Sequence, residues 1–177
     1  MTSILKVSTI QNTAGGAPTE ADLGLNVAGN VLQVKFVNNN TQTAISGATP
    51  TNFMSISITP SSVNSKIWVQ YDVGLSFDFG GCHAQSYIYR GSTPLGLAGT
   101  PDSNGSYANK VWFVDSTSDN NFGTVAGSYL DSPSTTSSTT YHTALSANNG
   151  NTMYANRRFS DAGHYMVSSM TVMEIAG

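Results

Sequence analysis

The side chains of this chain that could do chemistry are few and scattered. A zinc site draws on His, Cys and carboxylates at short, repeated spacings. His83, His142 and His164 are the three histidines, and none has a second ligand two or four residues away. Cys82 is the one cysteine; it adjoins His83, a poor chelate geometry, and alone it predicts no disulfide framework. It is expected to be a small buried hydrophobe. A serine hydrolase needs G-x-S-x-G on a sharp strand-to-helix turn. The nearest match, Gly74-Leu75-Ser76-Phe77-Asp78-Phe79-Gly80, has the wrong spacing and lies within a strand pattern. Glycoside hydrolysis needs two facing carboxylates; Asp72 and Asp78 fall on the outer face of one strand, about 20 Å apart at about 3.4 Å per residue. The other acids, Asp102, Asp115, Asp119, Asp131 and Asp161, read mostly as turn residues. No phosphate-binding glycine loop occurs, and Gly80-Gly81 reads as a turn. These readings predict no enzyme, no metal and no cofactor.

Binding residues are easier to find. Tyr107, Trp112, Tyr154 and Phe159 lie in or beside loops rich in Asn and Ser. Aromatic faces beside amides and hydroxyls suit sugar recognition, and rigid aromatics also make good protein contacts. These four are the candidate surface-binding residues. Arg157-Arg158 is the one adjacent basic pair, expected in a solvated turn or beside Asp161. A net charge of −3 leaves no electrostatic footprint for nucleic acid.

The elements that must carry these residues are strands. Charged residues make up 10% of the sequence, against about 25% in an ordinary soluble domain. Ser, Thr, Asn and Gly replace them, and these residues form helices poorly. In Lys66–Phe77, Ile67, Val69, Tyr71, Val73, Leu75 and Phe77 alternate with more polar positions, a period-two pattern. Shorter runs of the same kind occupy Val31–Val37, Phe53–Thr59, Ala84–Arg90, Lys110–Val114, Thr139–Leu145, Thr152–Asn156 and Tyr165–Ile175. Turn clusters such as Pro60-Ser61-Ser62 separate them. The expectation is an all-β protein: an antiparallel jelly-roll or β-sandwich of about eight to ten strands over residues 31–177. Residues 1–30 read as an extended N-terminal docking arm, with a strand-like run at Ile4–Ile10 and one helical turn capped by Thr19. No apolar run is long enough to span a membrane, and the N-terminus lacks a signal peptide's apolar stretch, so synthesis in the cytosol without membrane insertion is expected.

Two strands carry apolar residues on both faces. Trp68 projects opposite the core face of its strand, and the last run sets Met166, Met170 and Val172 against Tyr165, Val167, Met173 and Ile175. A half-exposed strand alternates apolar with polar. Trp68, Met166, Met170 and Val172 are therefore the candidate oligomer interface, and closure into a homotrimer would bury them.

Residues 3–27, Ser3-Ile-Leu-Lys-Val-Ser-Thr-Ile-Gln-Asn through Gly24-Leu-Asn-Val, run on into Gly29-Asn-Val-Leu-Gln-Val34. This stretch resembles the opening of tail-fibre-type proteins of tailed phages, especially of aquatic bacteria. Ala126–Tyr141 and the ending Thr171-Val-Met-Glu-Ile175 resemble the distal domain of the same family. The resemblance implies a virion location, a homotrimer, a jelly-roll head similar to the complement globular-head or tumour-necrosis-factor type, and an arm that binds other virion proteins. It implies contact with a host-surface glycan or protein, but supplies no receptor motif to carry over. The alternative function is a capsid or tail decoration protein without receptor binding.

Overall fold

A computed structural model of the chain describes residues 10–11, 14–18, 28–77, 81–101, 107–114, 122–148, 151–159 and 163–177. The Thr19-capped turn and all of the Ile4–Ile10 run except Ile10 lie outside them. Within them, eleven strands form two sheets.

The first sheet contains β1 (Val31–Asn39), β2 (Thr43–Ser46), β4 (Lys66–Phe77), β8 (Phe122–Asp131), β10 (Thr152–Ala155) and β11 (Ser168–Ile175). The second contains β3 (Thr51–Ile58), β5 (Cys82–Arg90), β6 (Thr93–Leu95), β7 (Lys110–Val114) and β9 (Thr139–Ala147). All pairings are antiparallel. The spatial orders β1-β11-β4-β8 and β3-β9-β5-β7 come from a chain that repeatedly changes sheet, from β2 to β3, β3 to β4, β4 to β5, β7 to β8, β8 to β9 and β9 to β10. That winding is a jelly roll, as the strand spacing predicts.

β4 organises the first sheet. β11 and β10 lie end to end along one edge of it, against Lys66–Asp72 and Leu75–Phe77, and β8 pairs the other edge. The six alternating apolar residues of β4 are all buried, as the period-two pattern predicts. They meet Met54, Ile58, Ala84, Ile88 and Leu145 from the second sheet and Met170 and Val172 from β11 in one core. Full burial of such aliphatic side chains contributes about 1.5–3 kcal/mol each. Cys82 is buried in this core as expected.

Three strands were not expected. β2 and β6 are short, but β8 is ten residues long. Its sequence, Phe-Gly-Thr-Val-Ala-Gly-Ser-Tyr-Leu-Asp, lacks a run of bulky inward residues because other rings fill that space. A Cβ on Gly123 would stand 2.2 Å from the Trp112 ring, and one on Gly127 would stand 2.7 Å from the Tyr71 hydroxyl. Glycine within a strand marks such close approaches.

The last expected strand is shorter than its run. β11 begins at Ser168, and residues 156–159 and 163–167 belong to an excursion over the outer face of β4. Met166 packs on Gly74, with its Sδ 2.7 Å from where a Cβ would stand. Ser76 Oγ donates to the Arg157 carbonyl at 2.7 Å. Asn156 turns the chain into this excursion at φ 62°, a left-handed conformation that Asn tolerates better than most residues. Its side-chain amide donates to the Asn39 and Thr41 carbonyls at 2.8 and 3.1 Å, and its carbonyl oxygen accepts from Ser168 Oγ at 2.5 Å.

The interface assignment needs correction. Met170 and Val172 are fully buried and point into the sandwich, because the register places them opposite Tyr71 and Val69 on the core face. Met173 and Ile175 take the outward positions on β11.

Candidate functional site

The outer face of the first sheet carries the most unusual surface. Register aligns Val34, Met173, Trp68 and Leu130 across β1, β11, β4 and β8 in one row. Val34 is 54% exposed, Trp68 36% and Leu130 48%; Phe36, one position along the same face of β1, is 62% exposed. A solvated face of an antiparallel sheet is normally polar, whereas contiguous exposed apolar surface marks contact sites. Between β4 and β8 the face sinks into an open groove of about 340 Å³, lined by Trp68, Gln70, Tyr71, Lys110, Ala126, Gly127 and Ser128. Beneath it the Tyr71 hydroxyl lies 2.5 Å from Ser86 Oγ. Burial pushes that phenol up to about 12, although the Ser86 hydrogen bond acts the other way.

Further along the same face, aromatic residues gather on the excursion. Tyr154 and Phe159 have ring centroids 5.4 Å apart, and the Arg157 guanidinium carbon sits 4.6 Å from the Tyr154 centroid. Arg157 donates from Nε to the Arg158 carbonyl at 3.0 Å and from Nη2 to the Phe159 carbonyl at 2.8 Å. It thus braces the excursion as well as capping Tyr154. Phe122 meets His164 edge-on at 6.0 Å. Tyr165 pairs with Arg157 across the excursion and is 75% exposed.

Of the four binding residues expected from sequence, Tyr154 and Phe159 are therefore in contact. The other two lie elsewhere. Trp112 points inward from β7, meets Phe77 in a tilted contact at 5.7 Å and packs on the core against Gly123. Tyr107 covers Gly99 in the connection from β6 to β7. Among the interface residues, Trp68 holds the open row, and Met166 is half-buried over Gly74. Exposure of Phe36, Leu130 and Tyr165 escaped sequence reasoning, because the register that aligns the first two and the excursion that lifts the third are tertiary features.

Asp131 and Glu174 serve the scaffold. Asp131, expected in a turn, is instead buried at the end of β8. It receives Arg90 Nη1 on both oxygens at 2.9 and 2.8 Å and the Tyr141 hydroxyl at 2.6 Å. Burial first, then the Asp131 carboxylate, drives the Tyr141 phenol well above its usual value. Glu174 is buried with four donors: Ser61 N at 2.6 Å, Ser61 Oγ at 2.7 Å, Ser65 Oγ at 2.6 Å and Gln33 Nε2 at 2.6 Å. Burial alone would raise its carboxyl, but these hydrogen bonds outweigh it and hold the group below the ordinary range. The histidines each meet a different ring: His83 meets Phe113, His142 stacks on Tyr89, and His164 meets Phe122. Burial lowers the His142 imidazole. Among the described residues no group of three or more His, Cys, Asp and Glu could hold a metal ion, and no helix is long and apolar enough to cross a membrane. Asp78, Asp102, Asp115, Asp119 and Asp161 lie outside the described residues.

The molecule so defined is an all-β jelly roll with an open apolar row on one sheet and an aromatic cluster beyond it. No protein-family model and no curated relative matches the chain. Among solved structures it is similar to that of the infectious bursal disease virus Gt strain, at 10% identity and a TM-score of 0.43, covering 84% of this chain and 39% of that one. The Gx strain of the same virus matches at 9% identity and a TM-score of 0.41, covering 82% and 37%. A subviral particle of its VP2 protein matches at 10% identity and a TM-score of 0.39, covering 82% and 38%. This chain spans less than two fifths of the length of each.

Proposed function

We propose that this chain is a non-enzymatic structural component of a phage particle, a trimeric fibre-type module that helps contact the host. The observation that carries this reading is the open apolar row Val34–Met173–Trp68–Leu130 with Phe36 beside it. On a chain with so few charges, such a face calls for a partner, and a second copy of the same chain supplies one with the same lack of charge. Three-fold closure buries the row from each protomer against its neighbour. The resemblance of residues 3–34 to the opening of tail-fibre-type proteins supports the phage assignment. It also makes the segment before the first strand the attachment to other virion proteins, with the assembled particle as the chain's location. A host-surface glycan or protein is then the outward partner. No step calls for a cofactor.

The chain enters the sandwich at Gly29 and Asn30, where Gly29 N donates to the Ala176 carbonyl and Ala176 N to the Asn30 carbonyl, both at 2.8 Å. Attachment at that end leaves the opposite end free to face outward. Imaging of labelled chain on intact particles tests this reading. Label at fibre tips or head fibres supports it, and label absent from the particle overturns it. A decoration protein without receptor binding is the alternative; there the isolated protein would fail to bind host cells, and its removal would weaken the particle.

A further inference from the structure

We infer that the aromatic cluster built by the β10–β11 excursion is a binding site for an acidic saccharide. The inference rests on the host-contact reading above and gives that contact a location and a ligand class.

Three observations carry it. First, the cluster combines ring faces with a cation. Tyr154 and Phe159 are 5.4 Å apart, Arg157 lies 4.6 Å over Tyr154, and Tyr165 stands beside Arg157 with three quarters of its surface exposed. Ring faces stack on the C–H faces of sugars, and a guanidinium pairs with carboxylate or phosphate. Second, no described carboxylate pairs with Arg157. Arg157 donates only to backbone carbonyls, and the one ion pair among the described residues is Arg90–Asp131. An ion pair already formed would weaken attraction for an anionic ligand; here backbone carbonyls brace the cation in one orientation. Third, the fold raises Tyr165 without giving its ring a structural task. Met166, on the opposite side of the excursion, packs on Gly74, so Tyr165 faces away from the sheet. Phe122 and His164 extend the surface towards the end of the sandwich opposite Gly29.

Position separates this site from the apolar row. Trp68 and Ser76 are eight residues apart on β4, about 26 Å at about 3.3 Å per residue. Ser76 lies under the excursion, hydrogen-bonded to Arg157, while Trp68 lies in the row. A trimer closed on the row can therefore leave the excursion free to take ligand.

The test uses the full chain and two matched probes, tri-galacturonate and its carboxyl-reduced neutral counterpart, with binding measured by calorimetry. The carboxylated trisaccharide is expected to bind at least about tenfold more tightly, the contribution of one charge-assisted contact. Tyr165→Ala should weaken it by about tenfold while circular dichroism and oligomeric state stay unchanged, since Tyr165 is exposed. Arg157→Gln should remove the preference for the acidic probe; Arg157→Lys should restore part of it if the fold is intact. Trp68→Ala should leave binding unchanged. Absence of binding to both probes, equal binding of both, or indifference to Tyr165→Ala overturns the inference. So does a change of oligomeric state in Tyr165→Ala with unchanged sugar binding, which would make the cluster a contact between copies. Failure of this test with the chain still located on particles leaves the virion reading standing; absence from particles removes that reading whatever the sugar result.

Discussion

Asn156 shows how much one residue can hold. Its left-handed backbone starts the excursion, and its side chain joins the end of β1 to the start of β11. Asn156→Ala takes the donor from the Asn39 and Thr41 carbonyls and puts a residue less tolerant than Asn into the left-handed region, which costs about 1–2 kcal/mol. We expect destabilisation of about 2–4 kcal/mol. Asn156→Gly should lose less, because it keeps the backbone and loses only the hydrogen bonds; equal melting temperatures for the two would remove the conformational part of this account. Glu174 is the second such residue. Its folded carboxyl lies below the ordinary value of 4.5, so its stabilisation is fully present above that pH and is lost as pH falls through the lower folded value. Glu174→Gln replaces an acceptor-only group with an amide facing donors on every side. The variant should melt several degrees lower near pH 7, at about 2–4 °C per kcal/mol for a chain of this length. The gap to wild type should narrow below pH 4.5; a gap independent of pH would show that the carboxylate charge is not what the four donors read.

At the scale of elements, β8 and β11 are informative because local pattern misreads both. β8 is a strand since Tyr71 and Trp112 reach into the places its glycines leave open. Gly123→Ala puts a methyl into the Trp112 ring and should cost about 1–3 kcal/mol as overpacking. Combining it with Trp112→Phe, a smaller ring, should cost less than the sum of the two single changes. Strict additivity in chemical denaturation would mean the two residues do not share that space. In β11, Met170 faces Tyr71 in the core, so Met170→Asp buries an unpaired carboxylate within one protomer. It should abolish folding of the single chain, seen as loss of the β-sheet circular dichroism signal, rather than merely loosen an assembly.

At the scale of the whole molecule, the proposed trimer would close on the open row. Trp68→Asp and Phe36→Asp place charges on the outer face and leave every core contact in place. Both should keep the β-sheet signal while sedimentation shifts from trimer to monomer, since desolvating three symmetry-related carboxylates costs several kcal/mol. A wild-type chain that sediments as a monomer at micromolar concentration would remove the trimer from the proposal. Deleting residues 1–28 should leave the sandwich folded, because its first described strand starts at Val31, and should prevent incorporation into particles. Normal incorporation of the shortened chain would end the docking role of that segment.

Much of the fold is legible in the letters. Alternation along Lys66–Phe77 marks the core face of β4, because side chains in a strand project with period two whatever the strand pairs with. Scarce charge and abundant Ser, Thr and Asn disfavour helices through their backbone competition, and Tyr154 and Phe159 stand out as aromatics in polar loops. What the letters could not decide is which face of an apolar-on-both-sides strand turns inward. Met170 and Met173 are the same residue type three positions apart on β11, and only pairing with Tyr71 and Trp68 sends one to the core and the other to the surface. The strand character of β8, the burial of Asp131 with Arg90 and Tyr141, and the lift of Tyr165 by the excursion have the same origin. Each depends on a residue distant in sequence that fills or opens a particular space, and only the tertiary structure places it there.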